Sequence, residues 1–152
     1  YTLVLEAQQQ AIDACVVGVP YTRPHEVASE VLKEGLIELG LITVSGKEES
    51  ETQLGRFFMH NTSHWIGLDV HDVGTYQPDK EPRLLEEGMV LTIEPGLYIA
   101  GWRSDLSDVD DAWKGIGVRI EDDIHVTAEG PDVLSSDCPK TIDDIEAIVG
   151  SV

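Results

Sequence analysis

Hydrophobic positions in the first forty residues recur at the spacing of two amphipathic helices. The segment 2–17 has apolar residues on one side and glutamines on the other, which predicts a first helix that ends near Gly18. A second helix is predicted over 22–39, because Pro24 suits a first helical turn and Gly40 suits a helix end. The apolar stripes are Leu5, Ile12 and Val16 in the first helix, and Val27, Val31, Leu32, Leu36 and Leu39 in the second.

From residue 57 onward the pattern changes to short apolar runs separated by glycine and proline, which is typical of strands. Residues 89–94 predict a buried strand that ends at Glu94, directly before Pro95. Residues 117–127 alternate strictly between apolar and polar side chains and predict one strand with two unlike faces. One face carries Val118, Ile120, Ile124 and Val126, and the other carries Arg119, Glu121, Asp123 and His125.

The remaining segments complete a single α+β domain. The polar stretch 46–52 and the acidic stretch 101–115 predict loops. Thr141, followed three residues later by Asp144, is typical of a capped helix start and predicts a final helix over 141–149 with Ile142, Ile145 and Val149 as its stripe. Helices, then strands, then a helix indicate an α+β fold.

The net charge and the two cysteines indicate which binding partners and which cellular compartment to expect. Ten Lys and Arg against 29 Asp and Glu give a net charge of -19, which repels phosphate backbones and anionic lipid, so we expect no nucleic-acid or membrane partner. The same surface suits cations, but we favour solubility or a salty environment as the main cause of the charge. No membrane-length apolar run and no signal peptide are seen. Cys15 and Cys138 allow one long-range disulfide, but we expect two unpaired buried thiols and a cytoplasmic location.

Histidines are concentrated in one short segment. His60, His64 and His71 lie within fourteen residues, although the His-Glu-x-x-His pattern of zinc proteases and the cysteine pairs of structural zinc sites are absent. A turn whose imidazoles bond to nearby backbone is the alternative to a catalytic cluster. No nucleophile elbow and no phosphate-binding glycine loop are present, which disfavours a Ser or Cys nucleophile.

Two carboxylates stand out beside these histidines. Glu94 ends an otherwise apolar strand, where an isolated charge is costly and calls for a partner or a metal. Glu121 shares a strand face with Arg119, and an ordinary ion pair between them is the alternative interpretation. His64, Glu94 and Glu121 would together supply one nitrogen and two carboxylate ligands, a set that suits Mn²⁺, Co²⁺, Zn²⁺ or Fe²⁺.

Three segments, 63–74, 91–98 and 117–124, resemble in order the C-terminal signature segments of the Xaa-Pro aminopeptidases (aminopeptidase P). The resemblance covers nearly the whole chain and implies the C-terminal half of a pita-bread metallopeptidase fold, an antiparallel curved sheet with flanking helices. Prolidase, the Xaa-Pro dipeptidase, is the alternative. Trp65 directly after His64 and the short loop between Tyr98 and Gly115 favour aminopeptidase P.

The resemblance also implies a reaction and a role for each site residue. The family releases the N-terminal residue from peptides with proline second, by attack of a hydroxide bridging two metal ions, usually Mn²⁺. Co²⁺, Zn²⁺ or Fe²⁺ are further possibilities. By resemblance, the implied roles are metal ligand for His64, metal ligand and proton acceptor for Glu94, bridging ligand for Glu121, substrate and oxyanion donors for His60 and His71, and orientation of a ligand aspartate for Arg119.

The resemblance implies that residues 1–152 are only part of such a catalytic domain. The family's two aspartate ligands match no residue here, so we expect an N-terminal domain and the first half of the catalytic domain to be absent, and the chain alone to be inactive. We also expect it to self-associate, most simply as a homodimer. A non-catalytic pita-bread binding module is the alternative from a different class, and the intact His64, Glu94 and Glu121 argue against it.

Overall fold

Three helices are followed by five strands and a fourth helix in a computed structural model that describes residues 1–43 and 46–150. The helices are α1 (Thr2–Asp13), α2 (Arg23–Glu38), α3 (Lys47–Leu54) and α4 (Ile142–Val149). The strands are β1 (Val90–Ile93), β2 (Gly96–Tyr98), β3 (Gly117–Arg119), β4 (Asp122–Thr127) and β5 (Gly130–Val133). The α+β architecture is confirmed.

Helices α1 and α2 pack against each other as their apolar stripes predict. A Cβ atom on Gly35 would lie 2.3 Å from Leu3 Cδ1, so this glycine lets the start of α1 approach the end of α2. Helix α1 is shorter than predicted, because the chain turns after Ala14 to bury Cys15, whose N–H bonds to the Ile12 carbonyl. Gly40, with a φ of +72°, ends α2 in the left-handed conformation.

The prediction of a loop over 46–52 is wrong, because α3 occupies that stretch. The segment has no apolar stripe, so its spacing does not predict a helix. It is, however, rich in residues of high helix propensity. Its C-terminal end is fixed by buried Leu54 and by Gln53, whose side chain bonds to the backbone N–H (3.0 Å) and carbonyl (3.3 Å) of Thr43.

The loop over 101–115 and the final helix are both found where the sequence predicts them. The loop over 101–115 is confirmed, with short 3-10 turns at Ser104–Leu106 and Asp111–Trp113. Thr141 caps α4 by accepting a bond from the N–H of Asp144. The stripe of α4 lies open in the described residues, since Ile142 is 43% and Val149 is 73% exposed.

The single strand predicted over 117–127 is in fact two strands in two sheets. Strand β4 lies between β1 and β5 in a three-stranded antiparallel sheet, and β3 pairs with β2 in a second sheet. The break falls at Pro95, which has no N–H for the ladder. The register continues across it, because Thr92 faces Asp123, Gly96 faces Arg119, and the Ile120 N–H bonds to the Pro95 carbonyl.

The alternation of 117–127 also buries a carboxylate. Asp122 has the same parity as Ile120 and Ile124 and is 1% exposed. It bonds to Gln8 of α1 (2.6 Å), to Ser135 (2.7 Å) and, as an ion pair, to Lys140. The helical layer and the C-terminal segment are thus joined to the sheet through one buried charge.

The structure also tests the expectations of unpaired cysteines and of no membrane-spanning segment. Neither Cys15 nor Cys138 forms a disulfide, so unpaired thiols are confirmed, but Cys138 is exposed rather than buried. None of the helices in the described part of the chain has both the length and the apolar character that crossing a membrane requires.

Candidate metal centre

The segment 62–66 lies along the free side of β1 and places His64 beside the strand. The N–H groups of Ile66, Thr92 and Glu94 bond to the carbonyls of Val90, His64 and Thr62, at 3.1, 3.0 and 2.8 Å. Trp65 forms an antiparallel bridge with Leu91. Because side chains alternate along paired strands, His64 lies on the same face as Thr92 and Glu94.

Three of the predicted ligands meet on this face. His64 Nε2 lies 3.3 Å from Glu94 Oε1, and one ligand atom from each of His64, Glu94 and Glu121 lies within 4.8 Å of the other two. The continued register explains the position of Glu121, since it is opposite Glu94 where β1 ends and just before β4 begins. Three separate segments thus converge as the sequence predicts.

The orientation of His64 suits metal binding. Its Nδ1 lies 3.1 Å from the Trp65 carbonyl, which can only accept a hydrogen bond. The proton of the neutral ring is therefore held on Nδ1, and the lone pair of Nε2 points toward Glu94. Metal-binding histidines commonly have their tautomer fixed in this way.

Arg119 connects Glu94 to two further side chains. Its Nη1 lies 3.1 Å from Glu94 Oε2, and its Nε donates to the hydroxyl of Tyr98 at 2.6 Å. The Tyr98 hydroxyl in turn lies 3.2 Å from Nε2 of His60. The direct ion pair of Arg119 is therefore with Glu94, whereas the alternative of an ordinary pair assigned it to Glu121.

The carboxylates of the site lie close to one another. Glu121 is exposed, but partial desolvation, followed by the charges of Glu94 and Asp123, raises its pKa above the ordinary value. Glu94 is itself buried, at 8% exposure. A bound divalent cation would offset this repulsion, and one imidazole with two carboxylates is a donor set for Mn²⁺, Zn²⁺, Co²⁺ or Fe²⁺. The residues present fit a metal.

His71 reaches the site from the loop over 67–74. Its ring centroid lies 4.3 Å from that of His64, and the residue is exposed. Gly67 makes the loop tight, because a Cβ there would lie 1.7 Å from Asp72 Oδ2. The alternative of a purely backbone-bonded histidine turn fits only part of the cluster, since His60 and His64 each bond a backbone carbonyl and also face site residues.

Aromatic rings support the segment 62–66 from the other face. The rings of Trp65 and Tyr76 are stacked with centroids 5.4 Å apart, and Tyr21 lies 4.7 Å from Trp65. The Tyr21 hydroxyl donates to the Ser63 carbonyl at 2.5 Å, and desolvation by burial raises its pKa above the ordinary value.

Tyr98 and Thr92 contact the site but are not among the site residues predicted from the sequence. Tyr98 ends a short strand after Pro95-Gly96, and Gly96 makes room for it, since a Cβ there would lie 2.6 Å from the Tyr98 hydroxyl. Thr92 stands between Leu91 and Ile93 in β1 and is 1% exposed. A lone hydroxyl in an apolar strand, two residues before a buried carboxylate, was the available signal for Thr92.

Known proteins resemble this chain over nearly its whole length. It is 44% identical over 150 residues to a Xaa-Pro aminopeptidase of Haemophilus influenzae, which covers 98% of the chain and 34% of that protein. The Pseudomonas aeruginosa aminopeptidase PepP superimposes with a TM-score of 0.90 at 44% identity, over 99% of this chain and 34% of that one. Zinc-substituted Escherichia coli aminopeptidase P in complex with product gives a TM-score of 0.84 at 41% identity, over 97% and 32%.

These likenesses confirm the resemblance to aminopeptidase P and the pita-bread fold. The chain spans about a third of the length of the relatives it matches. Residues 1–128 match metallopeptidase family M24, and this stretch includes His64, Glu94, Arg119 and Glu121. With the convergent donor set and a matching fold, the chain belongs to metallopeptidase family M24.

Proposed function

We propose that the protein carrying this chain is a metal-dependent aminopeptidase that releases the N-terminal residue from peptides with proline in the second position. The observation that carries this function is the meeting of His64, Glu94 and Glu121 within 4.8 Å, next to Arg119 and His71. The names of the relatives, Xaa-Pro aminopeptidase and aminopeptidase P, support the same specificity.

His64 Nε2 and the carboxylates of Glu94 and Glu121 are the atoms that would hold metal. When bound, divalent ions lower the pKa of water to supply a nucleophile at neutral pH and polarise the scissile carbonyl. We propose Mn²⁺ as the native ion, with two ions per site. Two ions need more ligands than these three residues offer, so we expect the 152 residues alone to be inactive.

The side chains around the ligands have distinct tasks in this reaction. Arg119 pairs with Oε2 of Glu94, and we assign the Glu94 carboxylate as the group that accepts the proton of the attacking water. We assign His71 and His60 as donors to a substrate carbonyl, and such donors stabilise the negative charge that develops in the transition state. The proline nitrogen leaves as an amine and needs a proton to do so, which Glu94 can return after taking it from the water.

The test is hydrolysis of Xaa-Pro-Xaa tripeptides by the full-length protein. We expect Mn²⁺-dependent release of the first residue, loss of activity with a chelator, and little cleavage of matched Xaa-Ala peptides. His64→Ala and Glu94→Gln should each remove activity. Cleavage of Xaa-Pro dipeptides alone would favour prolidase, and metal binding without hydrolysis of either substrate would favour a binding module.

The location and assembly of the protein stay predictions. We expect a cytoplasmic protein, because the charge of -19 and the free thiols suit a soluble protein in a reducing compartment. We also expect a homo-oligomer. Light scattering of the purified 152-residue chain tests self-association, and a strict monomer at high concentration would contradict it.

A further inference from the structure

The hydroxyl of Thr92 lies between the backbone of one proposed ligand and the side chain of another. Its Oγ1 accepts the backbone N–H of His64 at 3.0 Å and lies 3.1 Å from Glu94 Oε1, to which it donates. The same Glu94 oxygen faces His64 Nε2 at 3.3 Å. Within residues 1–43 and 46–150, and apart from His64 itself, Thr92 is therefore the side chain that bonds both to the segment carrying His64 and to the Glu94 carboxylate.

The geometry uses the full directional capacity of a hydroxyl. An ionised carboxylate only accepts and a backbone N–H only donates, so a group between them must do both. Thr92 is 1% exposed, and water therefore has no access from which to replace it. The backbone N–H of Thr92 also bonds to the His64 carbonyl at 3.0 Å, so the two residues are joined twice.

The carboxylate of Glu94 is held at both oxygens by these contacts. Thr92 directs Oε1, and Arg119 directs Oε2 at 3.1 Å. Arg119 is more exposed, with a 43% accessible side chain, and it reaches the site from β3, whereas Thr92 belongs to the same strand face as Glu94. Backbone pairing sets His64 beside Glu94, and Thr92 adds the one buried side-chain link between the two.

We propose that Thr92 is a positioning residue that sets the relative placement of His64 and Glu94 for metal binding. This inference rests on the proposed function, because it concerns the same site. Outer hydrogen-bond partners of metal ligands typically change metal affinity by roughly 10–100-fold when removed. Thr92→Val keeps the shape of the side chain and removes the hydroxyl, so it leaves a buried N–H and a carboxylate oxygen unpaired.

The experiment measures Co²⁺ and Mn²⁺ affinity of the full-length protein by calorimetry, with the visible absorption spectrum of the Co²⁺ form as a second readout. We expect Thr92→Val to bind roughly 10–100-fold more weakly, with an altered Co²⁺ spectrum. Thr92→Ser keeps the hydroxyl and loses only a methyl group, and its affinity and spectrum should stay close to wild type. Thr127→Val is the matched control, because it removes a hydroxyl bond to the Gly130 carbonyl in the β4–β5 turn.

The possible outcomes distinguish the role of Thr92 from the proposed function. Equal affinity and an unchanged spectrum in Thr92→Val, beside a wild-type protein that binds, would overturn the inference and leave the proposed function intact. Absence of binding by the wild-type protein would overturn both. If Thr92→Val does not fold, Thr92→Ala is compared with Thr92→Ser, and equal affinities in these two variants would also overturn the role of the hydroxyl.

Discussion

Gln8 and Asp122 are 114 residues apart in the sequence, and Gln8 Nε2 lies 2.6 Å from Asp122 Oδ2 in the core. The bond joins α1 to β4, and Lys140 balances the charge of the same carboxylate. This one contact ties the first helix to the sheet that carries the candidate metal centre.

Asp122→Ala should therefore destabilise the fold strongly. It leaves the amine of Lys140, whose side chain is 24% exposed, without its partner, at a cost on the order of 3 kcal/mol in the free energy of unfolding. Asp132→Ala on β5 is the control, because its pair with His125 at 3.8 Å is exposed and contributes at most about 1 kcal/mol. Urea denaturation measures both, and similar losses would show that the buried cluster is not special.

Glu121→Gln should have opposite effects on metal binding and on stability. Partial desolvation and the neighbouring carboxylates raise the pKa of Glu121, so its ionised form destabilises the folded metal-free protein relative to the unfolded chain. The amide removes that repulsion, and we expect the urea midpoint in chelator to rise while metal content and activity fall by orders of magnitude. Glu129→Gln, in the exposed β4–β5 turn, should change neither. Near-normal activity of Glu121→Gln would contradict the ligand assignment.

His71→Ala should lower kcat far more than metal content. The ring lies 4.3 Å from that of His64 but belongs to an exposed loop, which suits a donor to substrate rather than a ligand. Loss of one donor to a developing oxyanion costs about 10²–10³ in rate. Parallel steady-state kinetics and metal analysis check this. Loss of metal together with activity would exchange the roles of His64 and His71.

The two thiols should differ sharply in reactivity. Cys15 is buried, and desolvation raises its pKa to about 12, so almost no thiolate forms at pH 8. Cys138 is exposed. A chromogenic disulfide reagent should therefore titrate one thiol in the native 152-residue segment and two in denaturant, and Cys138→Ser should abolish the native reaction. Fast modification of Cys15 in the folded state would contradict its burial.

Acid should weaken the fold through His25. Burial, followed by the charge of His60, lowers the pKa of His25 below its ordinary value, and its Nδ1 bonds to Thr62 at 2.8 Å. The unfolded chain then binds a proton at a higher pH than the folded one, so the free energy of unfolding falls as pH drops through about 6.5 toward the folded pKa. Urea denaturation between about pH 7 and 5 should show a smaller slope for His25→Gln than for wild type. Equal slopes would contradict the shift.

Local pattern was sufficient for much of the fold. Apolar spacing and caps predicted α1, α2 and α4, because each signal lies within a few residues of its effect. Helix α3 was not predicted, because contacts of Leu54 and Gln53 stabilise it rather than an apolar stripe. The division of 117–127 between two sheets was not predicted either, because its cause, Pro95, lies on the partner strand.

The site was predictable as a set of residues but not as an arrangement. His64, Glu94 and Glu121 could be selected by type, position and resemblance, and the structure brings them together. Their contacts depend on long-range pairing of 62–66 with β1 and of β1 with β4, which no local pattern fixes. Tyr98 and Thr92 take their importance entirely from that pairing.

Because segment 62–66 pairs with β1 in an antiparallel ladder, metal binding depends on the correct register of these two segments. A shift of one residue would turn His64 away from Glu94 and bring Ser63 or Trp65 to the same position, because side chains alternate along a strand. A misaligned form could keep its helices and much of its core and still lack a metal centre. Metal ions would consequently select the correctly aligned molecules from a refolding mixture, and immobilised-metal retention would separate the two populations.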